Sequence, residues 1–439
     1  MTIEPRVLKG FTDHLPDKML VRREMLSSLE QTFLLHGFVP IDTPALEYSE
    51  ILLGKGSQET DKQLYRFEDN GGRDIALRFD LTVPFARFAA QHLHEIGTPF
   101  RRYHIAPVWR AEKPQRGRYR EFIQCDFDII GTTSKLADAE IIGMINASLS
   151  KLGVSHQIRI NNRKLLAGVL DSLGISDRSQ AVLRTVDKLE KLGQEIVIKE
   201  LTTEVGLNSR NVDSLLRFIG LSNGQESVGA VISAIEDFGL NNEILAQGIS
   251  ELREVISYLD ALGLVTQNGG PTPFCIDLGI ARGLDYYTST VFETTLTDLP
   301  EIGSICSGGR YDNLAEIYTK QALPGVGASI GIDRILGAFD VLGKIPPKQT
   351  SARALVVSSP IERRAQCIRA ASILRSAGIS TELSTQDTRL KQELKYANRK
   401  SIPFIIFPSE EEGLFNIKSM IDGTQKDNVR MENLAQELG

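Results

Sequence analysis

Sulfur and histidine are scarce in this chain. Four cysteines occur in 439 residues, Cys125, Cys275, Cys306 and Cys367. None forms a C-x-x-C pair and none stands at zinc-finger spacing from a histidine, so neither a structural zinc nor a disulfide framework is expected to organise the fold. Reduced thiols in a cytosol are the simpler reading, and a cytoplasmic location is the expectation that follows. The closest pair of histidines is His92 and His94. Two residues apart on a helix, they would not share a face, so no metal site is expected there. No apolar run approaches the roughly 20 residues that cross a bilayer. The segment Met1–Gly10 carries charges and no apolar stretch, so no secretory signal is expected. Also missing is the pattern G-x-x-x-x-G-K-[ST], so a nucleoside triphosphate, if one binds, is not held by a P-loop.

The length exceeds what one hydrophobic core serves and predicts two or three domains. A net charge of −6 argues weakly against nucleic acid. The distribution argues the other way. From Phe100 to Arg120 seven Lys/Arg stand against one acid, a basic stretch suited to phosphates. Taken alone, the same stretch also reads as a solvated loop.

Apolar spacing predicts a helix over Met19–Leu35, stopped by Gly37. Phe38–Leu46 reads as extended chain whose Pro40 and Pro44 bar it from a fully paired central strand. Gln63–Phe67, Asp74–Phe79, Phe100–Arg110 and Glu121–Ile130 read as successive strands of an antiparallel sheet, with turns at Gly71-Gly72 and Gly117. Helical periodicity dominates from Lys164 to about Val265, and strand character returns at Phe274–Leu278, Val291–Thr295 and Ser304–Ser307. A helix is expected at Ile330–Leu342 and a linker at Ile345-Pro346-Pro347-Lys348-Gln349. Beyond it a βαβαβ alternation predicts a small α/β domain. The expected division is 1–345, with a helical insertion at about 172–243, and 346–439.

Three arginine-bearing segments stand out. They are Phe100–Arg110 continuing to Gln124, Ala281-Arg282-Gly283-Leu284-Asp285-Tyr286-Tyr287, and Gly327–Arg334. Guanidinium groups grip phosphate through paired planar hydrogen bonds and keep their charge. Each alone also reads as a surface ion-pair partner; together they suit a triphosphate bound without a P-loop.

With these residues in view, the sequence resembles the class II aminoacyl-tRNA synthetases, and specifically the histidyl-tRNA synthetases, from about Lys9 to Gln425. Gly37–Glu47 is similar to motif 1, with Pro44 as its proline and the dimer interface as its family role. Phe100–Asp128 is similar to motif 2 and Gly327–Arg334 to motif 3. The more specific signals are Arg282-Gly283-Leu284-Asp285-Tyr286-Tyr287-Thr288 and Ser307-Gly308-Gly309-Arg310-Tyr311-Asp312, which resemble the family's two histidine signature peptides.

The resemblance implies a fold and roles. The fold would be α+β: a class II antiparallel-sheet catalytic domain with a helical insertion, plus a C-terminal α/β anticodon-binding domain. Arg110 would hold the ATP α-phosphate, Arg334 the far phosphates, and Arg282 the α-phosphate during attack, with Glu112 beside the ATP. Arg282 and Arg110 would be the catalytic pair. Asp80 and Thr82, helped by Gln124, would take the histidine ammonium. The form Asp80-Leu81-Thr82 departs from the Glu-Gly-Thr of many bacterial members and resembles eukaryote-like ones, with the carboxylate retained. Asp128 and Tyr287 would grip the imidazole, which needs an acceptor and a donor, and Tyr286 and Tyr311 would wall the pocket. Asp80 also reads as a strand-end cap, and Tyr286-Tyr287 as half-buried sheet surface. Lys113, Arg116 and Arg118 would meet the tRNA. The tail from Ala352 is similar to the anticodon domain, although Pro408-Ser409-Glu410 lacks the glycine that usually precedes the acid. Implied partners are L-histidine, ATP with Mg2+, tRNA(His) and a second copy of the chain as a homodimer; no resident metal, membrane or DNA is expected. The alternatives are a non-catalytic histidine-binding paralogue, expected to lose these arginines or the tail, and a general RNA-binding protein.

Overall fold

The computed structural model describes residues 2–53, 63–115, 117–223, 227–265, 272–281, 286–346, 350–386 and 389–438. They fall into two compact units, one of residues 1–12 and 25–338, the other of residues 13–24 and 339–439.

The first unit is built on an eight-stranded sheet in the order β1-β5-β6-β11-β10-β9-β7-β8. Its strands are β1 (Val39–Pro40), β5 (Phe100–Trp109), β6 (Glu121–Ile130), β7 (His156–Asn162), β8 (Phe274–Ile276), β9 (Thr290–Leu296), β10 (Ser304–Tyr311) and β11 (Gly325–Gly331). The six central strands pair antiparallel, as the short turns predict. Both outermost pairings, β1 with β5 and β7 with β8, are parallel. Pro40 lies in the edge strand, where a missing N–H costs no ladder bond.

Two expectations need correction. The strands near residues 63–79 do not join this sheet. They form a separate three-stranded one, β2 (Leu46–Tyr48), β4 (Asp74–Leu77) and β3 (Arg66–Glu68) in that order. Arg78 ties it to β5: its Nε donates to the Pro107 carbonyl at 3.0 Å, and Trp109 N donates to the Arg78 carbonyl at 3.0 Å. Secondly, Gly325–Gly331 is a strand, with the helix starting only at Ile332. Its three glycines, Gly325, Gly327 and Gly331, hid it by weakening the strand signal.

Between β7 and β8 the chain is helical: Arg163–Ser172, Ser179–Val186, Leu189–Leu192, Gln194–Thr203, Ser209–Gly220, Val228–Glu236 and Glu243–Ala261. Side-chain caps begin several of these helices. Asn208, Ser227 and Asn242 accept from the N–H three residues on, at 2.9, 3.2 and 2.8 Å.

The second unit carries β12 (Ala354–Val356), β13 (Thr381–Leu383), β14 (Phe404–Pro408), β15 (Leu414–Ser419) and β16 (Gln425–Arg430) in the order β13-β12-β14-β15-β16. The first three are parallel, as βαβαβ requires, and the last two add antiparallel pairings. Val356, Ile406 and Phe415 pack with Ala370 and Leu374 of helix Arg364–Ser376. Leu355, Val357 and Ile405 pack on the other side with Ala397 of helix Leu390–Lys400. Alternate residues of one strand thus serve two cores.

One buried ion pair locks the signature strand β10 into the first unit. Arg310 and Asp138 are 1% and 0% exposed, and Arg310 also donates to the carbonyls of Thr132 and Ser134, both at 2.9 Å. Removing one partner strands the other charge away from water. Asp138→Ala is expected to lower unfolding free energy by about 3–5 kcal/mol, read from the urea midpoint. A loss below about 1 kcal/mol would place the pair in the weak, solvated class instead.

Candidate active site

The site face of the large sheet follows from register, since side chains directly opposite across an antiparallel ladder share a face. One row runs Val291, Gly309, Gly327, Asp128, Arg102 across β9, β10, β11, β6 and β5. The next runs Glu293, Ser307, Ser329, Asp126, His104. A third pairs Gly331, Gln124 and Ala106. Alternation along β6 therefore gathers Gln124, Asp126 and Asp128, all buried, on one face.

The floor beneath Asp128 exists because residue 327 has no side chain. A β-carbon there would lie 1.9 Å from Asp128 Oδ1 and 2.8 Å from the Phe127 carbonyl oxygen. Gly325 is similarly filled by the Tyr311 ring, 2.5 Å from where a β-carbon would sit. Tyr311 donates its hydroxyl to Asp128 Oδ1 at 2.6 Å, and Arg102 Nη2 lies 2.7 Å from Asp128 Oδ2. Burial pushes the Asp128 carboxyl above its ordinary value, while Arg102 and Tyr311 pull it back. Tyr286 stacks edge-on against both Tyr287 and Tyr311, with ring centroids 5.0 and 6.0 Å apart. Four residues assigned from sequence to one pocket, Asp128, Tyr286, Tyr287 and Tyr311, thus come together.

Asp80 plays two parts. Its Oδ1 accepts the Val83 N–H at 3.1 Å in the first turn of helix Thr82–Gln91, a helix contact rather than the strand-end cap of the alternative reading. Its Oδ2 is buried without a hydrogen-bond partner among the described residues, as is Gln124 Oε1. Gln124 Nε2 is fixed by Ser329 Oγ at 2.8 Å. Two buried acceptors lacking donors are suited to a ligand ammonium. Burial raises Asp80 to about 6, against the pull of Val83 N–H and Arg110. Thr82 is the first residue of that helix.

A second cluster is cationic. Arg110 donates from Nε to the Phe79 carbonyl at 2.9 Å, and its guanidinium lies 5.2 Å from the centre of the Phe122 ring. Arg334 donates to the Ser304 carbonyl. Burial first, then the charges of Arg118 and Arg110, hold Arg334 below its usual value. Like charges gathered in this way are suited to a polyanion. Glu112 and Arg118, assigned from sequence to different ligands, form an ion pair with each other. The turn joining β5 to β6 closes through reciprocal Gln115–Arg118 backbone bonds of 3.0 and 2.9 Å. Its Gly117 (φ 68°) packs against the helix Ile332–Val341, with Arg334 Cα 3.6 Å from where a β-carbon would be. Lys113 and Arg118 are exposed. Arg282 and Arg116 lie outside the described residues.

Sequence reading missed Arg102, Asp126 and Gly327 as site residues. Period-two alternation from Gln124 and Asp128 points to Asp126. The close approach that demands glycine at 327 has no sequence signal beyond the glycine itself. Asp126 is pushed up to about 7 by burial, against Arg102, with Asp128 raising it further.

Comparison with known proteins identifies the family of the chain. The family model described as Histidyl-tRNA synthetase matches residues 10–335, and that of an anticodon binding domain matches 353–439. A histidine--tRNA ligase of Rhodopirellula baltica is 47% identical over 97% of this chain and 95% of its own. That of Wolinella succinogenes is 45% identical over 99% and 98%. The crystal structure of a histidyl-tRNA synthetase from Nostoc sp. PCC 7120 superposes with a TM-score of 0.86 at 32% identity, covering 100% of this chain and 99% of that one. A Bacillus halodurans C protein described as an ATP phosphoribosyltransferase regulatory subunit/histidyl-tRNA synthetase shares the fold at 24% identity (TM-score 0.74), so the fold alone does not separate ligase from regulator. Family model, full-length relatives and site together place the chain in the histidyl-tRNA synthetase family.

Proposed function

We propose that this chain activates L-histidine with ATP and transfers it to the 3′ end of tRNA(His). Full-length similarity to histidine--tRNA ligases carries this reading, and the pocket around Asp128 supports it. ATP enters as its Mg2+ complex, the ion offsetting phosphate charge. The histidine carboxylate attacks the α-phosphorus, giving histidyl-adenylate and pyrophosphate. The terminal ribose hydroxyl of the tRNA then attacks the adenylate carbonyl and AMP leaves.

In this reading Asp80 Oδ2, Thr82 and Gln124 Oε1 take the substrate ammonium. Asp128 accepts the imidazole N–H and Tyr287 faces the second ring nitrogen, with Tyr286 and Tyr311 as walls. Arg110 holds the α-phosphate, Arg334 the far phosphates and Glu112 borders the ATP. Arg282 supplies charge where it develops during attack. Lys113, Arg116 and Arg118 meet the tRNA acceptor end, and residues 346–439 its anticodon. A homodimer through the motif 1 segment is supported by the edge position of β1 and by half-exposed Val39, Leu46 and Tyr48 nearby. No helix among the described residues is long and apolar enough to cross a membrane, and we place the enzyme in the cytoplasm.

Asp128→Ala is expected to raise the histidine KM sharply in pyrophosphate exchange with the ATP KM near normal, because the ring N–H loses its acceptor. Gly327→Ala, which drives a methyl into that carboxylate, is expected to do the same. An unchanged histidine KM in Asp128→Ala would remove the assignment. For Arg282→Ala, single-turnover adenylate formation is expected to slow about a hundredfold or more; a near wild-type rate would make the charge structural. Arg116→Ala is expected to lower kcat/KM for tRNA and flatten its salt dependence, with histidine-dependent exchange little changed. Equal losses in both half-reactions would assign Arg116 to the ATP site.

A further inference from the structure

Arg102 is wholly buried, among the largest side chains in the protein with no solvent contact. A guanidinium taken out of water needs compensation for its lost hydration. Its surroundings are specific. Nη2 lies 2.7 Å from Asp128 Oδ2 and donates to the Leu81 carbonyl at 3.3 Å, and the guanidinium carbon sits 4.3 Å from the centre of the Phe85 ring. Nε and Nη1 have no hydrogen-bond partner among the described residues. Its charge acts on three buried carboxylates, Asp80, Asp126 and Asp128. A residue kept at this cost, in register with Asp128 and Gly327, calls for a role beyond filling space.

We propose that Arg102 is a positioning residue for amino-acid recognition: its guanidinium, clamped between Phe85 and Asp128, holds that carboxylate oriented against the Gly327 floor so that it accepts the N–H of the substrate ring. Tyr311 donates to Asp128 Oδ1, while Arg102 pairs with Oδ2 by charge at 2.7 Å and leaves that oxygen without a hydrogen-bond donor among the described residues. A carboxylate offers about four lone-pair sites, so capacity remains for one ring donor. Without Arg102, Asp128 would lose the arginine charge that pulls its carboxyl back down, and the pocket would favour a protonated carboxyl whose own hydrogen competes with the ring N–H. The arginine acts through Asp128 and makes no claim on the phosphates. The proposal rests on the reading of Asp128 as the imidazole acceptor.

Arg102→Met, Arg102→Lys, Asp128→Ala and the double variant Arg102→Met/Asp128→Ala are compared in histidine-dependent pyrophosphate exchange on the full chain. Arg102→Met is expected to raise the histidine KM about thirtyfold or more, the effect of truncating one partner of a buried charge pair. The ATP KM should stay within about twofold, since binding of the nucleotide uses other groups. Lysine keeps the charge without the planar fork, so Arg102→Lys should fall between the two. On the Asp128→Ala background Arg102→Met should add little, because its target is gone. An unchanged histidine KM, equal losses for histidine and ATP, or full additivity with Asp128→Ala would each overturn the proposal. Should Arg102→Met fail to fold, Arg102→Lys decides: a raised histidine KM with normal ATP KM supports it, and no change overturns it. An unchanged histidine KM in Asp128→Ala would instead defeat the pocket assignment itself, whatever Arg102 does.

Discussion

The Asp128 carboxylate occupies space that belongs, in any residue but glycine, to the side chain of position 327. Much of the site depends on that exclusion. With the floor bare, the carboxylate can lie across β11, reach the Tyr311 hydroxyl on β10 at 2.6 Å and remain within 2.7 Å of Arg102 on β5. Three strands are thereby joined through one side chain. Packing this tight leaves little room to shift, which is how a binding group acquires a fixed position before its ligand arrives.

Charge is the second constraint. Asp80, Asp126 and Asp128 are each no more than 2% exposed, and the wholly buried Arg102 acts on all three. Burial lifts Asp80 to about 6 and Asp126 to about 7, and with three carboxylates set around Arg102 the site is short of positive charge. A ligand bearing an ammonium offsets that shortage, and one bearing only a carboxylate worsens it. In the second cluster the balance reverses, with the charges of Arg118 and Arg110 adding to burial in holding Arg334 below its usual value. On the proposed function the substrate ammonium meets the carboxylates and the polyphosphate meets the arginines, which favours the juxtaposition that adenylation requires.

How far the sequence revealed this depended on the kind of signal. The long strands β5 and β6 are successive strand-like runs joined by a turn marked by Gly117, and their pairing was legible. Asp74–Leu77 was legible as a strand but not as part of a separate sheet, because strand order is set by contacts such as Arg78 with Pro107 that no local pattern encodes. Gly325–Gly331 was hidden by its glycines, the same residues that make the floor. Gln425–Arg430 was hidden by polarity: only Val429 of that strand is buried. For the site, the tyrosines and Asp128 were reached through the resemblance to a family. Arg102 was read as one cation of a basic stretch, and only the fold turns it away from solvent into the core. Glu112 and Arg118 were read as separate, and the structure pairs them.

The claim that this surface recognises histidine and couples it to ATP is tested most directly by pyrophosphate exchange on the intact protein, with each of the common amino acids supplied singly. The account predicts rapid exchange with histidine and none above background with the others, including asparagine and glutamine, which offer similar hydrogen-bonding groups on a different frame. Exchange that ignores histidine, or that proceeds equally well with another amino acid, would contradict it.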